Sequence, residues 1–284
     1  MASSRPAYSA AFAPEAIRLL PPSMPAGGIT PEWAWGGSTG AGVKVAVIDS
    51  GIDADHPAVG PVQGYVAFQE SSDKPGELVE ETAPHEDAFG HGTACAGIVR
   101  SIAPDCELYS VKVLGARLSG RGAIFAAGLR WATEHGMHVC NLSLGTTKRD
   151  FFATLHELAD LAYFRKVLLV TAANNMPVPS FPSVYASVIS VAAHDGKDPY
   201  CFYYNPSPPV EFGAPGIDVR VPWLDGEWIS VVGNSFAAPH ITGIVARLLG
   251  KHPELSPFQV KTVLAALAAN VRSNGDASTP GGGA

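Results

Sequence analysis

The stretch Val43–Asp53, VKVAVIDSGID, decides the fold. Val43–Asp49 is short, β-branched and almost continuously apolar, as a strand buried on both faces of a parallel sheet should be. It ends on a carboxylate, Asp49, before Ser50–Gly51 turns the chain. Four more runs of this character follow, at Glu107–Leu114, His138–Leu144, Val167–Ala173 and Val188–Ala193. Between them, Gly122–His135 and Asp150–Arg165 show helical spacing, with Asp150 expected to cap the helix carrying Phe152, Leu155 and Ala159. Near the end, Ser256 is an N-cap and Pro257 the first helical residue, with Val260, Val263, Leu264 and Leu267 on one buried face. This alternation predicts a three-layer α/β/α fold with a mostly parallel central sheet. Functional groups then belong at the carboxyl ends of the strands, where Asp49 stands.

The 284 residues are 46% hydrophobic and 16% charged, enough to bury a sizeable core. The net charge of −7 argues against nucleic-acid or anionic-membrane partners. No apolar run reaches the roughly 18–20 residues that span a bilayer. Residues 1–30, rich in Ala, Pro and Ser, read as an arm, residues 31–271 as the main domain and residues 272–284 as a flexible tail. Pro14 and Glu15 interrupt any signal-like core near the N-terminus. The four cysteines match no zinc spacing, and Cys95, Cys106 and Cys140 read as small buried hydrophobes. Together these point to a reducing, cytoplasmic setting.

Three short motifs carry the chemistry. Asp49 lies in VAVIDSGID (Val45–Asp53), His91 in GHGTACAG (Gly90–Gly97) and Ser235 in GNSFAAPH (Gly233–His240). A serine hydroxyl is a poor nucleophile unless a base takes its proton and a third group orients that base. Ser235 heads a segment whose Ile241, Ile244, Val245, Leu248 and Leu249 share one helical face, so it belongs at a helix N-terminus, where free amides favour negative charge. Pro239 is placed in the first turn, where a missing amide proton costs little. Asp53 and Asp55 compete with Asp49 but read as solvated loop residues. A metal site from His85 and His91 lacks a third ligand, so no metal or cofactor is expected.

In this order and these contexts, the motifs resemble the subtilisin-like serine proteases (subtilases) from about Pro31 to Val271. The resemblance implies the subtilisin-like fold, with Ser235 as nucleophile, His91 as base and Asp49 as orienting carboxylate. It also implies polypeptide or peptide substrates, and leaves the oligomeric state open. Asn175, in a segment similar to the family's AAGN, becomes the oxyanion donor, and Asn234 is expected to supplement it. Extended substrate is expected to add as a strand between Ser119, Gly120 and Gly122 on one side and Ser143, Leu144 and Gly145 on the other, beside Ala173 and Asn174.

Several positions depart from the family pattern. Ala94 and Cys95 replace His-Val, Phe236 replaces a Met, and Asn234 replaces a Thr. Gly122 stands where a bulky residue often lines a distal subsite, which predicts an open subsite. Ala96–Tyr109 leaves little room for the family's calcium loop, and only five residues separate Asn175 from Phe181, shortening one wall of the primary specificity pocket. The acidic insert Glu70–Asp87 reads as a mobile flap or a solvated loop. The N-terminal arm is too short for a folding prodomain, but its Ile17–Pro22 resembles the inhibitory extension of intracellular subtilases, so Leu19–Pro22 is expected either to lie across the cleft or to form a plain disordered arm. Three activities suit these residues: endopeptidase, peptide-processing protease or macrocyclase, and an inactive fold used for binding.

Overall fold

The computed structural model describes Pro25 and residues 28–271 apart from 72, 73 and 75. Leu19–Pro22 and the tail from residue 272 lie outside the described residues.

Nine strands form one sheet. The strand from the opening motif, β1 (Lys44–Asp49), sits inside it between β4 (Glu107–Lys112) and β5 (Val139–Leu142), parallel to both. Outward from β4 lie β2 (Val62–Glu70), parallel, and β3 (Leu78–Glu81), antiparallel. Outward from β5 come β6 (Leu168–Ala172), β7 (Ile189–His194) and β9 (Phe212–Pro215), all parallel, and then the antiparallel β8 (Tyr203–Tyr204). The chain builds one side of β1 first and then crosses to the other through α3 (Gly122–Glu134). That reversal opens a crevice at the carboxyl end of β1, where Asp49 lies.

Both faces are covered, as the continuous apolar runs require. Val45, Val47, Leu108, Val139 and Val170 pack under α2 (His91–Ile102) and α5 (Asn234–Lys251), together with α6 (Pro257–Leu267). Ala46, Ile48, Val111, Cys140 and Leu169 face α3 and α4 (Phe152–Phe164). Adjacent residues of β1 therefore serve opposite cores, the period-2 geometry of a strand. A separate ribbon, β10 (Ile217–Pro222) with β11 (Trp228–Val232), lies beside α2 through Val221, Ala94 and Ile98. The short α1 (Pro31–Trp35) is tied to the end of α5 by Lys251, whose Nζ donates to the Glu32 and Gly36 carbonyls at 2.6 and 2.9 Å.

Two local expectations change. The acidic insert is neither a flap nor a loop throughout. Gln69 and Glu70 pair with Val79 and Leu78, so its start and middle form a hairpin that extends the sheet edge. Asp150 does not cap α4. It lies within a 3₁₀ turn, Arg149–Phe151, and Phe151 takes the cap position without a side-chain bond. Ser256 caps α6 as expected and gains a reciprocal partner in Gln259, a full capping box.

Candidate active site

Asp49 is fully buried at the end of β1, and its Oδ1 accepts the Ser50 N–H at 2.8 Å. His91 is the first residue of α2, and its Nδ1 lies 2.9 Å from each Asp49 oxygen. The helix can start there because Gly90 adopts φ 105°, and a Cβ at Gly90 would lie 2.5 Å from the Trp223 ring. A carboxylate at Nδ1 holds the proton on that nitrogen and leaves the Nε2 lone pair available. Burial opposes charging of His91, but the adjacent Asp49 carboxylate outweighs it and raises the imidazole pKa above the ordinary value. Asp53 and Asp55 stay outside this pair, half-buried and exposed in the following loop.

Ser235 is the second residue of α5, and its N–H has no hydrogen-bond partner among the described residues. Pro239 falls deeper than the first turn. As the sixth residue of the helix, it removes the N–H that would have bonded the Ser235 carbonyl. Two side chains take its place: Ser143 Oγ donates to that carbonyl at 2.6 Å, and Cys95 Sγ at 3.6 Å. The Ser235 hydroxyl donates to the Ser143 carbonyl at 3.1 Å. Among the described residues no hydrogen bond joins it to His91.

Asn175 and Asn234 meet at the other end of this helix start. The Asn234 N–H donates to Asn175 Oδ1 at 2.9 Å, and among the described residues Asn175 Nδ2 has no hydrogen-bond partner. The Asn234 side chain departs from expectation as an oxyanion donor. Its Nδ2 donates to the carbonyls of Ala173 and Asn174 at 3.2 and 3.0 Å, and both amide hydrogens are committed there.

A cleft of about 320 Å³ opens beside His91 and Ser235. The expected residues Ser119, Gly120, Gly122, Ser143, Leu144 and Gly145 line it, whereas Ala173 and Asn174 lie under Asn234. The backbone groups of Gly120, Leu144 and Gly145 have no backbone partner among the described residues, which leaves them able to pair with an added strand. The subsite at Gly122 is not empty. The Phe151 ring lies where a Cβ on Gly122 would be, so an aromatic from another segment fills the space. Beyond Gly145, Thr146 and Phe181 exchange hydrogen bonds of 3.0 and 2.8 Å, which ties the shortened wall to this edge.

Sequence reasoning missed Phe151 and Cys95 as neighbours of the site. Cys95 had a signal, because it lies one helical turn after His91, and its Sγ comes within 4.0 Å of Nδ1. Asp49, His91 and Cys95 are also the one group of side chains among the described residues close enough to share a metal ion. His85 is elsewhere, with Nε2 2.9 Å from Ser110 Oγ, and burial and Lys112 lower its pKa to about 4.

The family model for Peptidase_S8, the Subtilase family, matches residues 40–283. The chain is 37% identical over 241 residues to Subtilisin BL of Lederbergia lenta, covering 80% of this chain and 84% of that one. It is 36% identical over 239 residues to the M-protease of Shouchella clausii, covering 80% of this chain but only 59% of the relative. Among solved structures, a cold adapted subtilisin-like serine proteinase superposes with a TM-score of 0.67 at 24% identity, covering 83% of this chain and 87% of that one.

Proposed function

The chain belongs to the subtilase family and is a subtilisin-like serine endopeptidase, and on that premise we propose that Ser235, His91 and Asp49 hydrolyse peptide bonds in extended polypeptide through an acyl-enzyme. The observation that supports this assignment most is the buried Asp49–His91 pair opening on the cleft that holds Ser235.

The substrate lies as a strand against Leu144–Gly145 and Gly120. The Ser235 hydroxyl turns from the Ser143 carbonyl to His91 Nε2, gives up its proton and attacks the scissile carbonyl. Asp49 keeps the His91 tautomer and stabilises the imidazolium without taking the proton. The developing oxyanion is held by Asn175 Nδ2 and the Ser235 N–H, neither of which has a hydrogen-bond partner to displace among the described residues. His91 then returns the proton to the leaving amine, and water repeats the sequence to release the acyl group.

Leu114, Leu118, Phe125, Leu144 and Phe151 give the cleft an apolar lining, which favours substrates with an apolar side chain on the acyl side of the cut. Four unpaired cysteines, three of them buried, favour a cytoplasmic place of work. The test is a fluorophosphonate probe followed by a peptide-library cleavage profile. Labelling at Ser235 with cleavage of extended peptides is expected. Absence of labelling on folded protein sinks the assignment.

A further inference from the structure

We propose that Asn234 is a positioning residue for the oxyanion donor, acting through Asn175 and not on the oxyanion itself. The inference rests on the reading of Asn175 as that donor.

Asn234 joins three elements at one point. Its Oδ1 accepts the Ala193 N–H at 2.8 Å, from β7. Its Nδ2 donates to the carbonyls of Ala173 and Asn174, which follow the end of β6. Its backbone N–H, the first of α5, donates to Asn175 Oδ1. The orientation of the Asn234 amide follows from its partners, because a backbone N–H needs an acceptor and two carbonyls need donors. Turning the amide over would face like against like at all three contacts.

The same contacts define Asn175. The side chain of Asn234 holds the two residues before Asn175, and its main chain holds the oxygen of the Asn175 amide. With its oxygen taken, the Asn175 amide keeps its nitrogen for an oxyanion. A two-carbon amide spans from the β7 backbone to the carbonyls of residues 173 and 174, a reach that shorter side chains lack. Removing it strips two hydrogen bonds from the Ala173–Asn175 turn, leaving those of the Ala173 N–H to the Val191 carbonyl and of the Met176 N–H to Asn174 Oδ1. The Asp49–His91 pair and the Ser235 carbonyl keep their own supports, in Ser50, Ser143 and Cys95.

A double-mutant cycle tests the proposal. Asn175→Ala is expected to lower kcat by about 10²–10³, the loss that removal of such a donor causes in subtilisin. Asn234→Ala alone is expected to lower kcat about tenfold or more. In the Asn175→Ala background the same change costs less than about threefold, because its target is already gone. The acid limb of the pH profile stays in place in both single variants. Asn234→Asp, which keeps the length and the acceptor but loses the donor to the Ala173 and Asn174 carbonyls, gives a comparable loss and supplies a second variant should the alanine protein fold poorly. Multiplicative losses across the cycle, with either variant, overturn the proposal in favour of direct donation. A wild-type chain that is folded yet unlabelled by fluorophosphonate overturns the active-site reading and this inference with it.

Discussion

Ser143 and Ser235 exchange hydrogen bonds: the hydroxyl of Ser143 donates to the Ser235 carbonyl at 2.6 Å, and the hydroxyl of Ser235 donates to the Ser143 carbonyl at 3.1 Å. One bond fixes the Ser235 backbone, and the other holds its side chain. The fixed bond continues inward, since Asn141 Nδ2 donates to Ser143 Oγ at 3.0 Å and Thr242 Oγ1 donates to Asn141 Oδ1 at 3.0 Å. Thr242 lies on α5 two turns beyond Ser235, so Asn141 of β5 and Ser143 just after it grip this helix at two heights. Pro239 makes the upper grip possible by leaving the Ser235 carbonyl unclaimed.

Ser143→Ala should therefore weaken folding and turnover together. It strands the Asn141 amide, which is fully buried, and such an orphan costs about 1–3 kcal/mol. A lower urea midpoint is expected, with a fall in kcat larger than any change in KM. A variant with wild-type midpoint and kcat contradicts the coupling.

Phe151→Ala should widen the apolar cleft, because its ring occupies the space over Gly122. Peptides with a large aromatic in the acyl-side position should gain in kcat/KM over those with a small aliphatic. A pocket change of this size shifts discrimination by about 1–3 kcal/mol. An unchanged preference in a peptide library would place the substrate side chain elsewhere.

The interior of the fold was legible because its strands are buried on both faces. β1, β4, β5 and β6 each fall within an apolar run, β7 overruns its own by His194 alone, and the helices between them follow their spacing. The edges were not. β2 is half-exposed over most of its length and β3 carries Glu80 and Glu81, so neither shows the continuous run that marked the others. Asp49, His91 and Ser235 stood out as candidates from their contexts, each within two residues of a positive-φ glycine, Gly51, Gly90 and Gly233. Phe151 was not, because its contact with Gly122 joins residues 29 apart in sequence, and no local pattern encodes a ring filling a distant gap. The fate of the Asn234 amide was hidden for the same reason, since its partners come from β7 and the end of β6.

Thiol chemistry should discriminate among the four cysteines. Burial raises the pKa of Cys95, Cys106 and Cys140, with nearby charges only partly offsetting it at the first two. These three are inert as thiols at neutral pH, while the half-buried Cys201 is reachable. Iodoacetamide on the native protein should modify Cys201 first, read by peptide mass. Early modification of Cys95, with loss of activity, would mean that the α2 face opens in solution.

The pH dependence of His91 gives activity and stability opposite slopes. Burial disfavours the charged ring, yet Asp49 raises its pKa above the ordinary imidazole value of about 6.5. A base must be neutral to accept the Ser235 proton, so the acid limb of kcat/KM should lie above pH 6.5 and activity should climb through the folded pKa. The same raised pKa means the folded state binds the proton more tightly than the unfolded chain does. That stabilisation is fully present below the unfolded pKa and is lost as pH rises through the folded one. Thermal unfolding of Ser235→Ala, which cannot digest itself, should show a midpoint that declines over the window in which the wild type gains activity. Adding His91→Gln should remove that share of the decline. Asp49→Asn reverses the sign at His91, leaving burial to lower the pKa, and should move the acid limb down while turnover falls by about 10⁴ through loss of the correct tautomer. An acid limb at or below pH 6.5 in the wild type would show that Asp49 does not outweigh burial.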